Sequence, residues 1–138
     1  VTDQAITVAV LDDESKMRVA LKRLLGTHGF EVIPSGTWEE FVSMAERRPP
    51  DCLLLDLHMP GISGFEVLGL MASLRRPVPT VVITGREEAG TEATVRALGA
   101  VNYLLKPLDE STLVQAIHDA CAGRPTGATM AAEAAAGG

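Results

Sequence analysis

The stretch "LLLDLHMPG", residues 53–61, decides how the chain folds. Leu53, Leu54 and Leu55 leave no polar face, as in a strand covered on both sides. The run then delivers a carboxylate, Asp56, and Met59-Pro60-Gly61 postpones any helix. A buried strand ending in an acid ahead of an irregular loop raises the question of what that acid meets.

Four other short apolar runs have the same character: "ITVAVL" (6–11), "EVIPS" (31–35), "PTVVIT" (79–84) and "AVNYLL" (100–105), beside the central run at 52–57. Helical patterns lie between them. The first places Met17, Leu21, Leu24, Leu25 and His28 on one stripe, with Gly29 to end it. The second opens at "TWEE", where Thr37 can cap and Glu40 can close a capping box. The third follows Gly64 and carries Phe65, Leu68, Met71 and Ala72. The fourth, over 88–98, contains Gly90, Thr91 and Thr94 and few large apolar residues, so it is weaker and is expected to be among the least stable elements. The fifth starts at Asp109 with a stripe of Leu113, Ala116, Ile117, Ala120 and Cys121. Strands alternating with helices predict a three-layer α/β fold with a parallel sheet. Residues 1–122 form one domain on this reading, and 123–138 read as a low-complexity tail or linker.

Composition removes several function classes. The formal net charge is −6 and the pI about 5.0, which gives no electrostatic footprint for nucleic acid. No apolar run is long enough for a membrane span, and the N-terminal stretch lacks a signal peptide's basic region. Cys52 and Cys121 show no metal or redox spacing, so reduced thiols and a cytoplasmic setting are expected.

Parallel strands share one carboxyl edge, and open α/β sheets bind ligands there. The first strand ends at Asp12-Asp13-Glu14, the third at Asp56, the fourth at Thr84-Gly85 and the fifth at Lys106-Pro107. Alone, each residue has an ordinary structural use as a turn acid, a strand threonine or a surface lysine. Together they form a pocket in which three carboxylates repel unless a cation joins them. Lys106 supplies one charge. All-oxygen ligands with room for water suit Mg²⁺. A carboxylate beside a metal and a lysine can accept a phosphoryl group.

The set Asp12-Asp13, "LLLDLHMPGISG", "VVITG" and "YLLKP" resembles the receiver domain of two-component response regulators, most like the FixJ/NarL type. The likeness covers roughly residues 6–122. It implies a doubly wound (βα)5 sandwich of flavodoxin-like topology, with strand order 2-1-3-4-5. It implies that Asp56 is the phosphoacceptor, served by the histidine of a sensor kinase or a phosphotransfer protein. Asp13, Asp56 and the His58 backbone carbonyl would ligate Mg²⁺, with Asp12 acting through water. Thr84 and Tyr103 would be the switch residues, and Lys106 would pair with phosphoryl oxygens. Pro60 and Gly64 would shape the loop after Asp56, and Pro107 would follow a cis peptide. His58 and Arg86 would line opposite rims. The fourth helix, fifth strand and fifth helix would offer a surface to an output partner or a second copy. Neither nucleic acid nor a membrane is expected to bind this segment.

The resemblance implies a switch that promotes only its own phosphotransfer and dephosphorylation. One alternative is a Mg²⁺-dependent aspartyl-phosphate phosphatase. Haloacid-dehalogenase-type phosphatases, however, place the nucleophile on the first strand with a second Asp two residues on, where this chain has His58 after Asp56. The other alternative is an unphosphorylated docking or dimerisation receiver, which usually lacks an acid or the lysine. Both are present here.

Overall fold

The structure is a computed structural model and describes residues 5–122. The expected tail at 123–138 lies outside the described residues. Strands and helices alternate along the chain. They run β1 (Thr7–Leu11), α1 (Ser15–Gly26), β2 (Glu31–Ser35), α2 (Trp38–Arg47), β3 (Cys52–Asp56), α3 (Gly64–Met71), β4 (Thr80–Thr84), α4 (Thr91–Ala97), β5 (Asn102–Leu105) and α5 (Glu110–Cys121). All pairings are parallel and the sheet order is β2-β1-β3-β4-β5. This is the doubly wound, flavodoxin-like order that the resemblance implied. Pro34 sits in β2, an edge strand, where a missing backbone donor is tolerated.

Strand alternation splits the core into two layers. Val8, Val10, Cys52, Leu54, Val81 and Ile83 pack with Leu21 and Leu25 of α1 and with Leu113, Ala116 and Ile117 of α5. Ala9, Leu11, Leu53, Leu55 and Val82 pack with Phe41 of α2, Val67 and Leu68 of α3 and Val95 of α4. The three inner strands need apolar residues on both faces, which is why β1, β3 and β4 lack polar alternation. At the start of α2, Trp38 stacks obliquely on Phe41 with ring centroids 5.5 Å apart.

Local structure corrects several details. Thr37 caps α2 by accepting the Glu40 N–H, but the Glu40 carboxylate accepts the Gly36 N–H at 2.6 Å, one residue before the expected partner. The complete capping box belongs to α3, where Ser63 and Glu66 satisfy each other's backbone donors. Ala72 ends that helix exposed, off the apolar stripe. α4 begins only at Thr91, because Gly90 takes φ 83° and breaks the backbone before it. β5 begins two residues after the predicted start, at Asn102. His28 lies beyond α1 and leaves its stripe, with Nε2 2.6 Å from a Glu110 carboxylate oxygen. Cys52 and Cys121 are both free thiols.

Candidate functional site

β1 and β3 are adjacent, so their carboxyl ends bring Asp12, Asp13 and Asp56 together. One carboxylate oxygen from each lies within 4.8 Å of the others. Asp12 and Asp56 are only 3% and 6% exposed, whereas Asp13 is open to solvent. Burial is the main cause that raises both buried carboxyls above their ordinary pKa. The Asp12 charge pushes Asp56 up further, and Lys106 draws both back down. Backbone donors hold the acids in place. The Asp12 carboxylate accepts the Glu14 N–H at 2.9 Å, and the Asp56 carboxylate accepts the His58 N–H at 3.2 Å. Three oxygen-donor acids gathered this closely, with a solvent-facing side, suit a small hard cation that retains water.

The opposite wall comes from β4 and β5. Thr84 is fully buried at the end of β4. Its hydroxyl accepts the Arg86 N–H at 3.1 Å and donates to the Arg86 carbonyl at 3.3 Å. Lys106 is anchored by its own N–H, which donates to the Thr84 carbonyl at 2.8 Å. Its stem passes the position a Gly85 Cβ would take, at 3.9 Å. Among the described residues no carboxylate lies within 4.0 Å of its ammonium, which leaves that group free for another anion. The Lys106-Pro107 peptide is cis.

The loop after Asp56 carries Pro60, Gly61 and Gly64. Gly61 takes φ 86°, directly after Pro60. Gly64 starts α3 against Leu57, and a Cβ there would sit 2.7 Å from the Leu57 Cα. The Gly64 N–H donates to the Leu57 carbonyl at 2.8 Å. His58 and Arg86 are exposed, each two residues beyond the strand-end residue it follows. Tyr103 packs half-buried on the α2–α4 layer. Among the described residues its buried hydroxyl oxygen has no hydrogen-bond partner, and burial, with Glu87, Glu92 and Glu88 nearby, raises its pKa.

One contact had escaped the sequence reading. Arg18 reaches from α1 to the Asp12 carbonyl, donating from Nη1 at 2.7 Å. The available signal was position: Arg18 is one helical turn beyond Glu14 and six residues beyond Asp12.

The sequence pattern of the response regulator receiver domain matches residues 8–118. The chain belongs to the response regulator receiver domain family. This receiver domain is 32% identical over 114 residues to the transcriptional regulatory protein FixJ of Rhizobium meliloti, covering 83% of this chain and 56% of FixJ. It is 28% identical over 118 residues to protein PilH of Pseudomonas aeruginosa, covering 84% of this chain and 98% of PilH. The chain thus spans about half of FixJ and nearly all of PilH. The crystal structure of FixJ-N superposes with a TM-score of 0.79 at 32% identity, covering 87% of this chain and 96% of that one. Among the described residues no helix of the receiver domain is long and apolar enough to cross a membrane.

Proposed function

We propose that this receiver domain, residues 1–122, is a phosphorylation-controlled switch whose acceptor is Asp56. The observation that carries this is the cluster of Asp12, Asp13 and Asp56 facing an unpaired Lys106 across one sheet edge. The donor set fits Mg²⁺, held by Asp13, Asp56 and the His58 carbonyl, with Asp12 acting through water. When bound, the ion supplies positive charge for the carboxylates and for phosphoryl oxygens. An Asp56 carboxylate oxygen forms the new O–P bond as the P–N bond of a kinase or phosphotransfer-protein phosphohistidine breaks, and the departing imidazole takes up a proton. Lys106 pairs with a phosphoryl oxygen, and the buried sheet end keeps Asp56 in line for attack.

On this reading the Thr84 hydroxyl leaves the Arg86 backbone for a phosphoryl oxygen. Tyr103 then turns into the space released, and α4 and β5 repack. The α4-β5-α5 face thereby controls an output partner, an output domain or a second copy. The chain turns over no separate metabolite on this reading, and its setting is cytoplasmic. Dephosphorylation is its own, tuned by the rim residues His58 and Arg86. FixJ is a longer transcriptional regulator and PilH is of similar length to this chain, so the likeness accommodates either an attached output domain or a separate partner.

Intact mass after incubation with Mg²⁺ and acetyl phosphate tests the acceptor. A gain of about 80 Da is expected for one acyl phosphate, and it is lost in Asp56→Ala. No gain, even with a kinase supplied, favours the docking alternative. Turnover of phosphomonoesters favours the phosphatase. For the switch, relaxation-dispersion NMR with and without a phosphoryl mimic should differ over residues 84–106. Identical profiles there reject the repacking.

A further inference from the structure

We infer that Arg18 is a positioning residue that locks the Asp12-Asp13 loop into its cation-binding shape. The metal half of this inference rests on the function proposed above, but the contact itself does not. Arg18 is half-buried, and among the described residues no carboxylate lies within 4.0 Å of its guanidinium. It donates instead to the Asp12 carbonyl at 2.7 Å, a charge-assisted bond to the peptide that joins the two acids. That peptide has few other restraints. The Asp12 N–H donates to the Ser35 carbonyl at 3.2 Å, the Asp12 carboxylate holds the Glu14 N–H, and Glu14 caps α1 without any side-chain bond.

The same guanidinium also lies close to Gly36. A Cβ built on Gly36 would lie 3.0 Å from Arg18 Nη1 and 3.3 Å from its Cζ. Gly36 therefore leaves the space that the guanidinium occupies. The Gly36 N–H is held in turn by the Glu40 carboxylate at 2.6 Å. Arg18 thus lies between the loop that carries the acids and the start of α2. Supporting residues of this kind orient ligands that do not themselves select their geometry.

Charge and position make opposite predictions, which makes the idea testable. A purely electrostatic Arg18 repels a cation, so its removal tightens Mg²⁺ binding. A positioning Arg18 organises the ligands, so its removal weakens binding by about tenfold, the lower end of what lost outer support costs a metal site. The experiment titrates MgCl₂ by NMR into wild type, Arg18→Ala, Arg18→Lys and Gly36→Ala. Amide exchange at Asp12 and Glu14 is measured without metal. Weaker Mg²⁺ binding and faster exchange are expected in Arg18→Ala, with partial rescue in Arg18→Lys. Gly36→Ala should move both readouts the same way but less, because its methyl presses on the guanidinium, which must shift by a few tenths of an ångström, while the Arg18 side chain is retained. It also serves if Arg18→Ala does not fold. Unchanged exchange, or tighter Mg²⁺ binding in Arg18→Ala, overturns the inference. If wild type binds no Mg²⁺, the metal reading fails, and exchange alone decides whether Arg18 holds the loop.

Discussion

Replacing Asp56 with Asn should stabilise the protein when no divalent cation is present. Asp12 and Asp56 are both nearly fully buried, and their carboxylate oxygens lie within 4.8 Å. At an effective dielectric of about 20, two charges that close repel by roughly 3 kcal/mol. Lys106 draws both pKa values down and so offsets part of this. A net gain of about 1–2 kcal/mol is therefore expected for Asp56→Asn, which corresponds to roughly 3–10 °C in Tm for a domain of this size. The Asn carbonyl can still accept the His58 N–H, so no hydrogen bond need be lost. The pH dependence has a definite sign. A carboxyl whose folded pKa is raised binds its proton more tightly in the native state. Unfolding free energy therefore falls as pH rises from the ordinary carboxylate value to the raised one. Below that window wild type is relieved by protonation, and the Asn variant loses its advantage. Mg²⁺ should close the gap by stabilising wild type through mass action. The assay is urea unfolding followed by circular dichroism in EDTA at neutral pH, then in acid, then in excess MgCl₂. Equal or lower stability of Asp56→Asn in EDTA refutes the repulsion argument. An advantage that persists in saturating MgCl₂ shows that this acid cluster does not hold the ion.

Three further outcomes are expected. Gly64→Ala forces a methyl to 2.7 Å from the Leu57 Cα and 3.1 Å from its carbonyl oxygen, so unfolding free energy should fall by about 1–3 kcal/mol; an unchanged urea midpoint rejects the close packing. Tyr103→Phe removes a buried hydroxyl that has no partner, so stability should hold or rise by up to about 1 kcal/mol; a loss of that size means the hydroxyl is bonded in solution. Exchanging the residues at 58 and 86, as His58→Arg with Arg86→His, should change the Asp56 phosphoryl half-life by at least about threefold, a barrier change of well under 1.4 kcal/mol; equal half-lives by phosphate release dismiss their role at the rim.

The sheet was legible because burial leaves a strong signature. Leu53–Leu55 and Val81–Ile83 have no polar interruption, and an inner strand of a covered sheet has no other option. Once those strands are parallel, their carboxyl ends must share an edge, and the adjacency of β1 and β3, an order that the resemblance implied, brings Asp12, Asp13 and Asp56 together. The finer contacts were less legible because long side chains choose among several nearby backbone groups. Glu40 is spaced to reach Thr37, yet its carboxylate takes the Gly36 N–H. "SGFE" at 63–66 carries the S-x-x-E spacing and could have been found, but Gly64 drew the reading toward the loop. Arg18 to Asp12 and His28 to Glu110 depend on how α1 lies on the sheet, which periodicity constrains only to a face. Thr84 shows a third limit. Its position was readable, but its present partner is the Arg86 backbone two residues on, a local bond that strand-end reasoning does not anticipate.

The distribution of packing supports the proposal that a change at this pocket is passed to α4. Asp56 and Thr84 end strands whose every residue is buried, so those strands can yield little. α5, on the far layer, buries Leu113, Ala116, Ile117 and Ala120 along its length. α4 is a single seven-residue segment with Thr91 and Val95 buried, and Gly90 before it supplies no side-chain cap. A short helix with one large apolar anchor has little to lose on shifting, so the same force moves it furthest. Thr84 is bonded to the Arg86 backbone in the loop that leads to α4, and Tyr103 lines a cavity of about 490 Å³ with Glu87, Glu88 and Glu92. A ligand that draws the Thr84 hydroxyl from Arg86 would therefore release the loop leading into the weakest helix, next to the space a turning side chain needs. A switch of the kind proposed needs only a difference in binding between two arrangements of α4, and a rigid acidic pocket beside a short, lightly anchored helix would serve it better than either property throughout the fold.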